Sequence, residues 1–313
     1  MAFDQINFIK KFLTFSPREG KNETRAGQYL TGLLDQAKIN YSLQQFTLTI
    51  PQTVKAELTA DGNNIPCEPL CFTSGEINSK DNILSSLTHT EKNFPFIGFN
   101  PYCPGISATG RAIKHPALAI ARDNLPIIFQ AKKIKGRVKV IPAKHQSQNI
   151  LAGNLTNPKN LVFTHYDSVY SGAVDNASGV AVTLKLIFDQ SKLLKTTLFV
   201  LSGNEELCYD FPIYWGRGYR EFEKKYWPLM KQSKQILIID GVGNDTIQSL
   251  TDPYWVNEGF PVKNLKQLLH KTAMVTGNIS KLMEYYHSPL DTIDKLKKSY
   301  LDEAYHLVLK SLS

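Results

Sequence analysis

LVFTHYDSVYSGAVDNASGVAVTLKLIF, residues 161–188, reads as a strand, a polar turn and a helix in immediate succession. Leu161, Val162 and Phe163 form a short apolar run of the kind buried on both faces of a parallel sheet. From 177 to 188, Val180, Leu184 and Ile187 recur on one helical face. Between them stand polar, metal-competent residues, beginning with Thr164, His165, Tyr166 and Asp167. The arrangement repeats downstream. Residues 197–201 (TLFVL) run into Gly203, Asn204, Glu205 and Glu206, and 236–239 (ILII) into Asp240. In an open α/β sheet ligands bind beyond the carboxyl ends of the strands, so these side chains are expected to converge at one edge.

Working outward, the same alternation continues. Tyr219, Phe222, Tyr226 and Leu229 mark a helix, and Leu301, Ala304, Leu307 and Val308 a closing one. Upstream, Ile6, Ile9, Phe12 and Leu13 predict a first helix. Leu30, Leu33, Leu34 and Ala37 predict a second after a Pro/Gly/Asn break, and 42–50 alternates like a strand. From about Val54 to Lys133 the texture changes to short β-like runs between Gly, Pro and Asn clusters, read as a β-rich insertion or lid. The core is then 1–53 with 134–313, an α/β fold with a mostly parallel sheet.

Composition narrows the function. The chain has 313 residues, 42% of them apolar and 20% charged, an ordinary balance for a globular protein. No apolar run is long enough to span a membrane. The opening MAFDQINFIKKFLTF reads as an amphipathic helix rather than a signal peptide, making cytoplasmic location the default expectation. The net charge of +8 is spread over scattered lysines, so solvated surface explains it better than a nucleic-acid partner. Four cysteines suggest no disulfide scaffold, and Cys67 with Cys71 lacks the second pair that a structural zinc site needs. No repeat is evident. Oligomeric state is not legible.

A lone histidine after a strand is usually a hydrogen-bonded structural residue, and a Glu-Glu pair in a loop is usually solvated. Gathered at one sheet edge, these groups would repel one another or lie unsatisfied without a cation. Imidazole and carboxylate suit zinc, at ~2.0–2.2 Å from each donor. A carboxylate shared by two metals would hold them ~3.5–4 Å apart and favour activation of one water. Of two adjacent glutamates, one can bind metal while the other takes a proton.

HYDS (165–168), GAVDNASGV (172–180), NEE (204–206), IIDGVG (238–243) and YHSPLDT (286–292) resemble, in order, the motif series of the zinc aminopeptidase superfamily. That superfamily includes bacterial leucyl aminopeptidases, glutamate carboxypeptidases and glutaminyl cyclases. The resemblance implies a three-layer α/β/α domain with a mixed, mostly parallel central sheet. It also implies two zinc ions per chain, with His165 and Asp240 on one, Glu206 and His287 on the other, and Asp175 bridging. Glu205 would be the general base and Asp167 the carboxylate that fixes ligand geometry. Tyr286 would donate to a developing oxyanion, or simply pack beside Tyr285. Gly172 and Gly179 would admit close backbone approach around Asp175. Asp291 would orient His287 or cap the last helix. The implied activity is a binuclear zinc exopeptidase, an aminopeptidase acting on peptide or aminoacyl substrates.

The chain departs from the family pattern at 207–222 (LCYDFPIYWGRGYREF), which replaces a glycine-rich continuation and is either core or a reshaped pocket. Three rivals remain. Deacetylase-type binuclear hydrolases usually insert a dimerisation domain before the last histidine, and here that segment is short. Glutaminyl cyclases lack the histidine that His165 supplies. Non-catalytic relatives lose ligands that this chain keeps.

Overall fold

A computed structural model describes residues 3–88, 94–109 and 114–312; parts of the expected insertion (89–93 and 110–113) lie outside the described residues. The elements in chain order are α1 (Gln5–Phe12), α2 (Lys21–Gln36), β1 (Tyr41–Ala60), β2 (Asn63–Asn64), β3 (Cys67–Pro69), β4 (Gly75–Ile77) and β5 (Ile83–Ser85). Next come β6 (Phe96–Phe99), β7 (Ala117–Ile120), α3 (Leu125–Gln130), β8 (Ile134–Gly153), β9 (Asn160–His165) and α4 (Gly179–Asp189). The chain continues with β10 (Thr197–Ser202), α5 (Arg217–Gln232), β11 (Gln235–Ile239), β12 (Gln248–Leu250) and α6 (Pro253–Gly259). It ends with β13 (Thr272–Thr276), α7 (Ile279–Leu282) and α8 (Lys298–Leu312). Two units divide the chain: residues 1–48, 145–282 and 291–313 in the first, 49–144 and 283–290 in the second.

In the first unit the strands lie in the order β12-β13-β11-β9-β10-β8-β1. β10, β9, β11 and β13 are mutually parallel, while β8 runs antiparallel to β10 and β12 antiparallel to β13. The fold is therefore α/β with a mixed, mostly parallel sheet, as the alternation predicted. Leu161, Phe163, Leu198, Val200, Ile236 and Ile238 point to one face, where Tyr219, Phe222 and Met230 of α5 and Val256 of α6 pack on them. The opposite face is covered by α4, which packs on β9 and β11 and against α1 and α8. Both faces being covered explains why these strands read as unbroken apolar runs rather than alternating ones.

Local chemistry accounts for the helices. Asp4 caps α1 by accepting from Asn7 N at 3.1 Å, and Lys10 and Lys11 sit in its last turn, where the helix dipole favours cations. Phe8, Ile9 and Phe12 are its buried stripe. In α2 the buried stripe is Ala26, Leu30 and Leu34, spaced four apart.

The second unit is β-rich. Its hairpin joins β1 to β2 through Asp61 and Gly62, both at positive φ, the Asp-Gly turn that matches strand twist. Asp61 also accepts from Lys132 N and Lys133 N. β4 pairs with β8, and a separate four-stranded sheet runs β3-β7-β6-β5. No described helix is long and apolar enough to cross a membrane.

Candidate metal centre

Register brings the strand ends level. His165 of β9 pairs with Ser202 of β10, and Phe163 with Ile238 of β11. The residues that follow, Glu205 and Glu206 beyond β10 and Asp240 beyond β11, thus start from the same edge as His165. One donor atom each from His165, Asp175 and Glu206 lies within 4.8 Å of the others, and all three residues are buried. His165 Nε2 is 3.2 Å from Asp175 Oδ1 and 3.5 Å from Asp240 Oδ1. Four of the five residues expected to bind metal are therefore together in the first unit. The fifth, His287, is in the second unit with Tyr286, whose ring stacks on its imidazole at 3.8 Å.

Asp167 links two motifs. Its Oδ1 lies 3.4 Å from His165 Nδ1, while its Oδ2 accepts from Glu206 N at 2.9 Å. Glu205 is 7% exposed. Burial pushes its carboxyl well above the ordinary value, and Glu206, Asp167 and Asp240 add to this against the opposing pull of His165. Burial disfavours a charged His165, yet Asp240, Asp167 and Asp175 hold its pKa well above normal. Three carboxylates, of Asp175, Glu206 and Asp240, with the His165 imidazole are the donor set of a hard-to-borderline cation, and gathering them without one is costly. The residues fit a metal.

The 172–180 turn is built for closeness. Gly172 has φ +62°, and a Cβ there would stand 2.4 Å from Ser168 Cβ and 2.5 Å from Asp175 O. A Cβ on Gly179 would meet Asn176 Oδ1 at 2.3 Å and Ile239 O at 2.6 Å. The expected role of both glycines is thus met. Asp291 holds the Asp175 turn and does not cap α8, which begins only at Lys298. Its carboxylate accepts from Val174 N at 2.8 Å and Asp175 N at 3.0 Å. Burial raises its pKa to about 7.

Three further residues belong to the site, though no role in it was legible for them in the sequence. Asn176 donates to Thr164 Oγ1 and to Ile239 O, and accepts from Gly179 N, fastening the Asp175 turn to the ends of β9 and β11. Arg18 is wholly buried. Its guanidinium donates to the carbonyls of Tyr166 (2.6 Å), Ser171 (3.1 Å) and Gly172 (2.9 Å), and to Ser16 Oγ. It clamps the loop between His165 and Asp175 and places a cation beside the acids; burial lowers its pKa to about 10. Tyr219 is fully buried in the α5 core, and its hydroxyl has no hydrogen-bond partner among the described residues. Burial first, then Glu205 and Asp240, raise its pKa well above normal despite the pull of His165.

The 207–222 segment is partly core and partly not. Tyr219 and Phe222 are buried, whereas Phe211 is exposed. The loop before α5 folds back so that Gly216 N donates to the Glu205 carbonyl, and Asp210 accepts from both Arg217 and Arg220.

Comparison with known proteins agrees with this geometry. Residues 151–210 match the model of peptidase family M28, a stretch that holds His165, Asp167, Asp175, Glu205 and Glu206. No curated protein sequence matches the chain. Among solved structures, a zinc aminopeptidase from Bacillus subtilis superposes with a TM-score of 0.69 at 18% identity, covering 97% of this chain and 92% of that one. The aminopeptidase from Aneurinibacillus sp. strain AM-1 gives 0.64 at 19% identity, covering 97% and 91%. A Porphyromonas gingivalis glutaminyl cyclase gives 0.55 at 13% identity, covering 99% and 98%. At such identities the likeness establishes the fold. The fold and the matched segment together support the class that the motifs pointed to, a metallopeptidase hydrolase of the zinc aminopeptidase superfamily.

Proposed function

We propose that the chain is a binuclear zinc exopeptidase, an aminopeptidase that removes N-terminal residues from peptides. The observation that carries this reading is a buried Glu205 beside the His165–Asp175–Glu206 cluster at the ends of parallel strands. Glu205 adds nothing to the donor set, which leaves it to handle a proton.

His165, Asp175, Glu206 and Asp240 would hold the metal, with Asp175 between two ions and His287 added on the strength of the YHSPLDT resemblance. Bound zinc would supply Lewis acidity toward the scissile carbonyl and acidity to water. Glu205 takes the proton from the attacking water and returns it to the leaving amine. A carboxyl raised by burial is suited to both halves of that transfer. Asp167 keeps the His165 ring oriented while fixing the Glu206 peptide. Tyr286 would donate to the oxyanion.

The test is a panel of aminoacyl and N-blocked chromogenic substrates, assayed with zinc and with a chelator. Cleavage of free-amine substrates, abolished by chelation, is expected. Cleavage of blocked substrates alone would overturn the aminopeptidase reading, and cyclisation of N-terminal glutamine would favour the cyclase one. In the same assay Glu205→Gln should retain zinc and lose roughly 100- to 10,000-fold in turnover, the usual worth of an acid–base group. Full activity in that variant would exclude Glu205 as the base.

A further inference from the structure

His287 sits in the left-handed region at φ +46°, which a residue with a side chain keeps only when its surroundings enforce it. Within the second unit the enforcing groups come from residues 100–108. Asn100 Nδ2 donates to Met283 O at 2.9 Å and to Ser107 Oγ at 3.2 Å. Ser107 Oγ donates to Tyr286 O at 2.7 Å, and Ala108 N donates to His287 O at 2.9 Å. The donor count closes. A hydroxyl has one proton, so with that proton on Tyr286 O, Ser107 accepts from Asn100 and from Thr109 Oγ1 3.0 Å away. Both Asn100 protons are used, and its Oδ1 accepts from Tyr102 N at 3.0 Å. Asn100 and Ser107 are each 1% exposed. On the other side of His287 the hold is local, Ser288 Oγ donating to Tyr285 O.

We propose that Asn100 and Ser107 are positioning residues for His287, holding the peptide frame on which its imidazole is mounted. This rests on the reading of His287 as a zinc ligand. A metal site tolerates little displacement of a donor, and neither a left-handed peptide nor a loop carbonyl frame holds itself in place.

The experiment measures zinc affinity by chelator competition, and the visible spectrum of the cobalt-substituted protein, for the wild type, Ser107→Ala, Asn100→Ala, Ser107→Thr and His287→Ala. The melting temperature of each metal-free protein is recorded alongside. Ser107→Ala and Asn100→Ala should each weaken zinc binding roughly 10- to 100-fold, the usual effect of removing an outer support of a ligand. They should shift the cobalt spectrum in the same direction as His287→Ala, and Ser107→Thr, which keeps the donor, should restore most of the affinity. Wild-type affinity in both alanine variants, with His287→Ala impaired, would overturn the proposal. So would a lowered metal-free melting temperature with unchanged zinc binding, which marks a structural role only. Wild-type affinity in His287→Ala would instead sink the ligand reading on which the proposal stands.

Discussion

At the scale of single residues the site contains one group whose presence costs stability. The Tyr219 hydroxyl is buried without a partner among the described residues, and an unsatisfied buried hydroxyl costs about 1–3 kcal/mol. Tyr219→Phe removes only that oxygen from a core position and should leave the melting temperature unchanged or raised. If the hydroxyl is retained for the reaction, turnover falls in the same variant. Thermal melts and steady-state rates measured together check both halves; a stability loss would show that the hydroxyl has a structural partner. Residue-scale legibility divides along similar lines. His165, Glu205, Glu206 and Asp240 stood out because polar groups after apolar runs break a visible pattern, while Asp175 was marked by the DNASG segment. Arg18 lay in a Pro/Gly break, and Tyr219 on a helical stripe of aromatics, where nothing distinguishes a residue of the site from its neighbours. Asn176 was inside a quoted motif, but only its bonds to Thr164 and Ile239 reveal what it does.

Among elements, α5 and its leading loop carry a measurable electrostatic device. Burial alone would raise the Asp210 pKa, but hydrogen bonds from Arg217 and Arg220 win and hold it below the ordinary 3.8. A depressed carboxylate contributes stability that is complete above its unfolded-state pKa and is lost as pH falls through the folded-state value. Asp210→Asn should therefore cost roughly 1 kcal/mol at pH 7, the solvent-screened worth of such a pair. The difference from wild type should vanish in acid below the usual carboxylate range. Denaturant melts at neutral and acid pH test this, and a pH-independent difference would refute it. The buried strands β9, β10 and β11 were legible because each is a continuous apolar run ending in polar residues. β13 (TAMVT) was not, being short and set between turns, and β12 is a three-residue edge strand. β1 extends beyond the alternation at 42–50, since residues 49–57 carry no strict period, whereas β8 went unread although its first eight residues alternate buried and exposed.

For the whole molecule, the expectation concerns metal removal. Binding to the folded state alone stabilises it by about 2.7 kcal/mol at 100 times the dissociation constant. At the usual unfolding entropy per residue, in a chain of 313 residues that corresponds to a fall of ~4 °C in melting temperature on chelation, reversed by zinc and measurable by scanning calorimetry. An unchanged melting temperature would mean that the His165–Asp175–Glu206 cluster holds no tightly bound ion. The sequence by itself determined the layered fold and the edge at which the chemistry gathers, because burial on both faces of a sheet and the polar residues at strand ends are written locally. Tertiary structure alone decided how that edge is held, by Arg18 under the 166–172 carbonyls and Asp291 on the Asp175 peptide, and, within the second unit, what holds the frame of His287, namely Asn100 and Ser107. These bonds join residues far apart in the chain through backbone atoms, and a backbone acceptor has no residue letter to read.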